Sequence, residues 1–576
     1  MVIATAKVYY PVLVKLPTMA MASARLRIGV LLDTLQVPAW AYKTLAEIHS
    51  SNYAEICLVV LKVSPDAQKV SLKNRFINLK NGCSHFLPLL FCQLERFFLK
   101  LNPDAQESRN ALNLLNGVKI VRVTPITADH YEGFANKDIE EIKKYRLDVV
   151  IQLGFGRLKG GILEAAKYGV WSYRFGEIKV GSDCPDGFWE VLEQNPITGS
   201  GLQITNKELQ EMTLYSSYSA TDPISWQRNQ NNFYWKSASF IPRKLKELSE
   251  RGEAEFFQNL QEKNQPIRFG ASKYCRLPGN GEFLRLLAKP LTGFIKRKIT
   301  AKLFLDQWII LFQLGDGVPT TFRNFERIIP PKDRFWADPQ VIYHDNNYYI
   351  FLEEYEYGQK KGYISVMQMD ERGHYNGPKK ILERPYHLSY PFVFAWDGSY
   401  YLIPESAANR SIELYKCLDF PDKWEFQNNL MNQVRAYDAT LYYYQNKWWL
   451  FANILENEGA SPGDELFLFY SASPVSTDWQ PHPRNPIISD VRRARPAGRI
   501  FSHNGNLYRP SQDSSKRYGY GIRINQIKVL NEYEYQEEEI SFIEPNWDRR
   551  VMAVHTINHE KQLTIIDGML RRSRYA

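Results

Sequence analysis

A repeat in the second half of the chain restricts the possible fold more than any other feature of the sequence. Five segments each read as a strand, a tight turn and a second strand: WADPQVIYHDNNYYIF, SYPFVFAWDGSYYLI, YDATLYYYQNKWWLF, PAGRIFSHNGNLYRP and MAVHTINHEKQLTII. When the turns are aligned, equivalent positions at steps of 48 to 59 residues hold Asp338, Tyr390, Asp438, Ala497 and Met552. Hairpins that recur about every fifty residues are typical of propeller blades.

Five such units predict a five-bladed β-propeller. A strand-like segment before the first repeat, Gln307 to Gln313, would complete the last blade and close the ring, which would remove an exposed sheet edge. The alternative is a β-sandwich whose hairpins share this spacing by coincidence.

The first half of the chain has a different pattern, in which short apolar runs alternate with helical periodicity. The apolar runs begin at Arg27, Tyr53, Val118 and Asp148. Strands that alternate with helices indicate an α/β domain with a parallel sheet covered on both faces. We therefore predict a multidomain chain with a disordered extension (1–24), an α/β domain (25–263), a basic linker (264–302) and an all-β propeller (303–576).

Composition and charge indicate a protein without a metal or nucleic-acid site. Hydrophobic residues make up 44% of the chain, charged residues 23%, and the net charge of +9 is small for 576 residues. Six cysteines without CxxC or Cys/His spacing suit a reducing compartment. No apolar stretch reaches the ~18 residues of a membrane span. We expect a cytoplasmic protein with no cofactor and with a peripheral membrane contact through the basic linker.

Two segments of the first half resemble the formyltransferase family, which uses a folate formyl donor. They are DVVIQLGFGRLKGGILEAAKYGVWSYRFGE (Asp148 to Glu177) and GFWEVLEQNPITGSGLQI (Gly187 to Ile204), within a resemblance that runs from Arg27 to Glu250. The resemblance implies a Rossmann-type sheet. It also implies a catalytic Asn-x-His pair on one strand and an Asp on a later loop.

The positions that match this catalytic set are Ser172, Arg174 and Gln210, and all three differ from the family. Arginine stays protonated and cannot act as a base, and glutamine cannot supply the negative charge of the Asp. We therefore expect a scaffold that has lost catalysis, in which Arg174 and Lys179 hold an anionic group. An active sugar N-formyltransferase with altered residues is an alternative.

The second half resembles the propeller domain in front of the glycosyltransferase of glucosamine inositolphosphorylceramide transferases. The motifs are WADP with its trailing FLEE, HLSYPF, IPES, YDAT, the HPRNP run and RPSQD, between Phe322 and Gly568. More distantly it resembles five-bladed glycoside hydrolases. These resemblances imply a carbohydrate or glycolipid ligand.

In a propeller the first strand of each blade lines the central channel, so polar residues near the repeat starts are candidate ligand contacts. A glycosidase needs an acid and a second carboxylate, and Asp338 as base, Glu405 as acid and Asp438 as orienter would supply them. Candidate ligand-binding residues are His387, Arg495, Arg509, Gln512, Asp513 and His555.

Two function classes follow from these residues. The first is a glycan- or glycolipid-head-group-recognising protein of cell-surface polysaccharide or glycolipid biosynthesis, with the funnel as its site. The second is a carbohydrate-active enzyme that uses Asp338, Glu405 and Asp438.

Overall fold

The computed structural model describes residues 25–63, 84–128, 131–176, 184–205, 211–263, 277–315, 317 and 322–575. The predicted N-terminal extension (1–24) and the first part of the predicted linker lie outside these ranges. None of the described helices combines the length and the apolar content needed to cross a bilayer.

The first half of the chain forms a mainly parallel sheet. Its strands are β1 Leu26–Leu32, β2 Gln36–Pro38, β3 Ala54–Lys62, β4 Ser108–Asn110, β5 Lys119–Val123, β6 Ile126–Ala128, β7 Tyr131–Gly133, β8 Val149–Gln152, β9 Arg157–Leu158, β10 Val170–Phe175, β11 Ile197–Thr205 and β12 Glu211–Ala220. The main sheet has the order β12-β11-β10-β8-β1-β3-β5. Neighbouring strands from β10 through β8, β1 and β3 to β5 are parallel, whereas β11 is antiparallel to both β10 and β12. Small sheets β2-β4 and β6-β7-β9 flank it.

Side chains from β1 enter two separate cores because successive residues of a strand point to opposite faces. Val30 lies in a core with helices α1 and α6, whereas Leu31 lies in a core with α3. The predicted parallel sheet with two covered faces is thus confirmed. The helices are α1 Ala39–Ser50, α2 Phe86–Phe98, α3 Asn136–Lys143, α4 Phe188–Glu193, α5 Trp226–Ser237, α6 Phe240–Lys263 (interrupted at Gly252) and α7 Asn280–Leu303.

Helix α7 occupies most of the segment predicted as a basic linker. It buries Phe283 and Pro290 and leads directly into the first strand of the second half. The described part of that segment is therefore regular helix. The domain limits themselves stay predictions.

The second half consists of antiparallel sheets. Its strands are β13 Phe304–Leu314, β14 Glu326–Ile328, β15 Arg334–His344, β16 Asn347–Glu356, β17 Lys361–Asp370, β18 Lys379–Leu382, β19 Ser389–Trp396, β20 Ser399–Glu405, β21 Ser411–Asp419, β22 Lys423–Asn432, β23 Ala436–Tyr444, β24 Lys447–Ile454, β25 Glu465–Ser471, β26 Gln480–Pro481, β27 Ile488–Ser489, β28 Phe501–His503, β29 Asn506–Asp513, β30 Gly521–Leu530, β31 Tyr535–Ile543, β32 Ile557–Glu560 and β33 Leu563–Ser573. They form sheet 1 (β14-β13-β33-β32), sheet 2 (β15 to β18), sheet 3 (β19 to β22), sheet 4 (β23 to β27) and sheet 5 (β28 to β31).

Consecutive sheets share apolar cores. Sheet 1 joins the two ends of this half, because β13 pairs with β33 along its whole length, from Phe304 opposite Ser573 to Leu314 opposite Leu563. Each sheet shares an apolar core with the next, and sheet 5 shares one with sheet 1. Residues that lie together in these cores are Ile310 and Val341 (sheets 1 and 2), Phe351 and Val393 (sheets 2 and 3), Phe392 and Leu450 (sheets 3 and 4), Phe451 and Ile527 (sheets 4 and 5), and Ile522 and Ile566 (sheets 5 and 1).

Three of the five aligned repeat positions share an unusual backbone conformation. Asp338, Tyr390 and Asp438 all have positive φ (53°, 40° and 52°), and each lies in a bulge at the start of its hairpin. Non-glycine residues with positive φ are uncommon, and backbone strain of this kind clusters at functional sites. The repeat predicts five equivalent positions, and the equivalence extends to local geometry at these three but not at Ala497 and Met552.

The two halves of the chain contact each other through a buried polar interface. Lys236 of α5 donates to the Asp464 carboxylate at 3.0 Å, with side-chain exposures of 2% and 0%. Arg243 of α6 donates to both carboxylate oxygens of Glu465 at 2.8 and 2.9 Å. This interface orients the first half against sheet 4.

Candidate functional site

Five acidic side chains from sheets 1 to 4 lie close to one another, and the charges of their neighbours help to raise the pKa values of Asp338, Glu353 and Glu405. We call them the central acidic cluster: Asp338, Glu353, Glu405, Asp438 and Asp567. All five side chains are at least nine-tenths buried. Buried carboxylates are rare unless they are paired, so the partners of this cluster define what it does.

Asp338 is held at its bulge by groups from two other sheets. Its carboxylate accepts hydrogen bonds from the Tyr390 backbone N–H at 3.3 Å and from the Thr556 hydroxyl at 2.8 Å. Its own backbone N–H donates to Asp567 at 3.0 Å. The Asp338 carboxylate is thereby fixed in position before any ligand binds.

His555 links Asp338 to Asp567. Its Nδ1 lies 2.6 Å from Asp567 Oδ2, its Nε2 lies 3.5 Å from Asp338 Oδ1, and Trp308 stacks on its ring at 4.1 Å. Burial lowers the pKa of His555, but the two carboxylates outweigh burial and raise the pKa overall. The imidazolium form is favoured, and it neutralises part of the acidic cluster.

Arg495 is the second cation of the site. Its guanidinium donates to Asp438 at 2.6 and 3.2 Å and lies 3.5 Å from Glu405. Gln512 also donates to Asp438, at 2.9 Å. Asp438 thus receives a fork of charge-assisted hydrogen bonds, which are roughly twice as strong as neutral ones.

Three carboxyls of the cluster, those of Glu405, Glu353 and Asp338, have raised pKa values. Burial, with the neighbouring Asp438, raises the pKa of Glu405 well above its usual range, and the Glu405 carboxyl hydrogen-bonds Asp438. Burial, with the nearby carboxylates, likewise raises the pKa of Glu353, and burial raises that of Asp338 to about 6. The raised pKa favours the protonated form of Glu405, which suits a proton donor. Strongly shifted pKa values of this kind cluster at functional sites.

Aromatic side chains cover the cluster on the solvent side. The Arg495 guanidinium lies between the rings of Tyr437 and Tyr518, at 5.7 and 5.1 Å. Tyr518 also meets His555 edge-on at 5.5 Å, yet 49% of Tyr518 is exposed. A half-exposed ring above buried charged groups provides an apolar face beside hydrogen-bonding groups.

Most of the sequence-predicted residues meet here. Those in the cluster or in contact with it are Asp338, Glu405, Asp438, Arg495, Gln512 and His555. His387 lies beside it, with Nε2 3.5 Å from Glu353, and accepts a hydrogen bond from the Gly362 N–H. Burial lowers the pKa of His387, which favours the neutral ring.

Arg509 and Asp513 lie in structural ion pairs. Arg509 is 1% exposed and donates to both carboxylate oxygens of Glu537 at 2.8 and 2.9 Å. Asp513 accepts from the Ser515 hydroxyl at 2.6 Å and from the Arg523 guanidinium. Both side chains form ion pairs with residues of sheet 5 and do not contact the central acidic cluster, so the candidate site does not include them.

Three residues of the site were not identified from the sequence. Glu353 lies in the FLEE motif that follows WADP, so the sequence does contain a pattern that points to it. Asp567 follows the fifth repeat, and Tyr518 lies in a loop between β29 and β30. Neither carries a local signal, because only sheet packing brings them to the cluster.

One subset of the cluster has a composition that metals use. Asp338, His555 and Asp567 each bring one ligand atom within 4.8 Å of the others. The same atoms already form ion pairs with one another, since the His555 ring nitrogens lie 2.6 and 3.5 Å from the Asp567 and Asp338 carboxylates. We therefore assign no metal to them.

Two of the positions expected to be catalytic in a formyltransferase lie at a cavity of about 330 Å³ between β9 and the main sheet. Ser172 and Arg174 line it, and Arg174 donates to Glu211 at 2.7 Å. The Glu211 carboxylate thus neutralises the positive charge of Arg174, the residue expected to hold an anionic group. Gln210 and Lys179 lie outside the described residues.

Comparison with known proteins places the similarity in the second half of the chain. The family model described as "Glucosamine inositolphosphorylceramide transferase 1, N-terminal" matches residues 327–564. The protein of that name from Arabidopsis thaliana is 34% identical over 211 residues, which cover 36% of this chain and 27% of the relative. The Oryza sativa subsp. japonica protein is 32% identical over 210 residues, 36% of this chain and 28% of the relative.

Solved structures that match this chain at low identity and low TM-score include glycoside hydrolases. A family 117 enzyme from Zobellia galactanivorans is 12% identical, with a TM-score of 0.31, and covers 47% of this chain and 92% of that one. A Bombyx mori GH32 β-fructofuranosidase is 12% identical, with a TM-score of 0.32, and covers 49% and 66%. The chain spans about a quarter of the length of its curated relatives, and residues 327–564 are similar to their N-terminal region.

Proposed function

We propose that residues 303–576 form a closed five-bladed β-propeller and that residues 25–263 form a separate formyltransferase-like domain. The pairing of β13 with β33 supports closure, because it joins the two ends of the propeller in one sheet. The apolar cores that link each sheet to the next, and sheet 5 to sheet 1, support it as well.

We propose that the propeller recognises a glycan or a glycolipid head group in cell-surface polysaccharide or glycolipid biosynthesis. The observation that carries this proposal is the central acidic cluster with Arg495 and His555 beneath the half-exposed Tyr518 ring. Sugars present hydroxyl groups for charged partners and apolar faces for aromatic rings, and this site offers both. The similarity to relatives named as glycolipid transferases supports the same ligand class.

The formyltransferase-like domain acts in this proposal as a scaffold without formyl transfer. The Arg174–Glu211 ion pair supports it, because it places a permanently charged arginine where the family has a histidine. The buried contacts of Lys236 and Arg243 give the scaffold a role, which is to hold the propeller in one orientation.

A thermal-shift screen of glycans and nucleotide sugars tests the proposed site. A ligand should stabilise the wild-type chain, and Tyr518→Ala should weaken its affinity about tenfold through the loss of stacking. Tyr533→Ala serves as the control, because Tyr533 is 76% exposed and lies between β30 and β31. An unchanged response in both Tyr518→Ala and Asp338→Asn would contradict the proposal.

A carbohydrate-active enzyme is the second candidate, and the protonated Glu405 beside Asp438 favours it. The hydrogen bond between these two carboxyls is shorter than the ~5 Å that separates the reacting pair of a glycosidase. Asp438 would therefore tune Glu405 as the acid, and Asp338 would be the base. Turnover of any bound glycan by wild type, and its loss in Glu405→Gln, would establish catalysis. Binding of a glycan without turnover would contradict catalysis and support recognition as the function.

A further inference from the structure

Helix α7 exposes an apolar face along its length. Leu284, Leu291, Ile295 and Ile299 are each between 49% and 56% exposed. Their spacings of seven, four and four residues place them on one side of the helix. A helix normally turns such a face towards a core, and here it is turned away from the chain's own cores.

The packing of α7 against the helices of the first half involves residues near its beginning. Phe283 packs against Phe91 of α2 at 5.6 Å and against Phe188 of α4 at 6.3 Å. Within the part of the chain that the structure describes, Pro290 is the last buried residue of α7. The second half of the helix therefore projects from the fold with its apolar side chains exposed.

The charges on α7 are almost all positive. Glu282 is its one acidic residue, and its six basic residues are Arg285, Lys289, Lys296, Arg297, Lys298 and Lys302. Arg574 adds a further cation at the end of the helix, where it donates to the Ala301 carbonyl at 3.1 Å. A surface that combines exposed Leu and Ile with many cations complements an apolar partner with a negative surface.

Helix α2, which packs against the beginning of α7, also exposes apolar side chains. It is joined to α7 by the Phe91–Phe283 contact and by a hydrogen bond from the Leu87 N–H to Asn280 Oδ1 at 2.9 Å. At its end Phe97 and Phe98 are each 75% exposed. Exposed phenylalanines in neighbouring positions are typical of surfaces that bind a partner.

We propose that α2 and α7 form a docking surface for an anionic lipid bilayer. The apolar side chains enter the boundary between head groups and acyl chains, and the basic residues meet anionic head groups. A second copy of the chain fits this surface less well, because it would bring six cations of one helix against six of the other. The surface uses none of the residues of the central acidic cluster, so it goes beyond the proposed function.

Vesicle flotation of the full chain tests this surface. Wild type is expected to float with vesicles of phosphatidylcholine and phosphatidylserine, not with phosphatidylcholine alone, and added salt should weaken binding. Each basic residue near an anionic surface contributes about a fivefold factor, so Lys296→Gln with Lys298→Gln should weaken binding roughly 30-fold. Leu291→Ser with Ile295→Ser should weaken it at least about tenfold.

Lys143→Gln with Lys144→Gln is the matched control, because it removes the same charge from another exposed helix, α3. Circular dichroism shows whether each variant keeps its fold. The proposal is overturned if wild type does not float with the anionic vesicles, or if both α7 variants bind like wild type. It is also overturned if light scattering shows a dimer that Ile295→Ser dissociates, which would assign the face to a second copy.

Discussion

Asp338 combines a positive φ with a buried carboxyl, and each has a cost in free energy. Asparagine tolerates the same backbone conformation, so Asp338→Asn changes the charge with little change in backbone strain. The pKa of Asp338 rises from 3.8 to about 6 through burial and the neighbouring carboxylates. This residue therefore links the stability of the fold to pH.

The Asp338 prediction concerns pH-dependent stability. Between pH 4 and 6 the folded state binds more protons at Asp338 than the unfolded state, so the stability contributed by this group falls as pH rises. Relative to Asp338→Asn, the wild-type free energy of unfolding should fall by up to roughly 3 kcal/mol across this range. Urea unfolding at several pH values measures it.

Asp397→Asn is the control for this prediction. Asp397 is exposed in a hairpin turn and also has a positive φ, of 47°. Its substitution removes an exposed carboxylate from a similar backbone conformation and should change stability by only a small amount. A wild-type difference from Asp338→Asn that stays constant across that range would show that Asp338 is not protonated within the cluster.

At the scale of elements, β13 contributes to two of the shared cores. Ile309 lies in the core between sheets 5 and 1, and the next residue, Ile310, lies in the core between sheets 1 and 2. Strand alternation produces this division, since neighbouring side chains point to opposite faces. Strand β13 thus contributes to the cores on both faces of sheet 1, the sheet that joins the two ends of the second half.

Ile310→Ala should destabilise the second half through loss of apolar contacts and the cavity that remains. Ile310 is fully buried, and a change of this kind costs about 2–5 kcal/mol. Ile540→Ala is the comparison, because Ile540 is 51% exposed on β31 and its truncation leaves no internal cavity. Denaturant unfolding measures both free energies of unfolding. Equal effects of the two substitutions would contradict a special contribution of β13 to the stability of the second half.

At the scale of the whole molecule, a buried ion pair holds the two halves together. Lys236 and Asp464 have almost no exposure, and Lys236 also donates to the Ser219 hydroxyl. Removing one partner of a buried pair leaves an uncompensated charge, whereas replacing both with apolar residues is often neutral. The interface is therefore sensitive to single changes and tolerant of paired ones.

Lys236→Met should destabilise the protein by about 3–5 kcal/mol and separate the unfolding of the two halves. Lys236→Met with Asp464→Leu should recover most of that loss. Calorimetry measures both outcomes, with Lys246→Met as the control because its side chain is 58% exposed. A double variant no more stable than the single one would show that the ion pair is not what couples the halves.

Local patterns in the sequence predicted the hairpins and the parallel sheet. Each hairpin depends on a turn and two strands that are adjacent in the chain, and the turn residues carry their own signal. The equivalence of Asp338, Tyr390 and Asp438 could be derived from the repeat for the same reason, and the shared bulges agree with it. Helix α7 was missed because its Gly, Pro and Lys/Arg content resembled a linker.

The contacts between distant elements could not be predicted in the same way. Arg509 looked like a ligand contact in its motif, but packing places it against Glu537. Asp567 and Tyr518 come to Asp338 and Arg495 only through the packing of separate sheets. The sequence by itself determined the repeating units and the acidic residues Asp338 and Asp438 at the starts of two of them. The tertiary structure decided which charges meet, because that depends on contacts across hundreds of residues and carries no local signal.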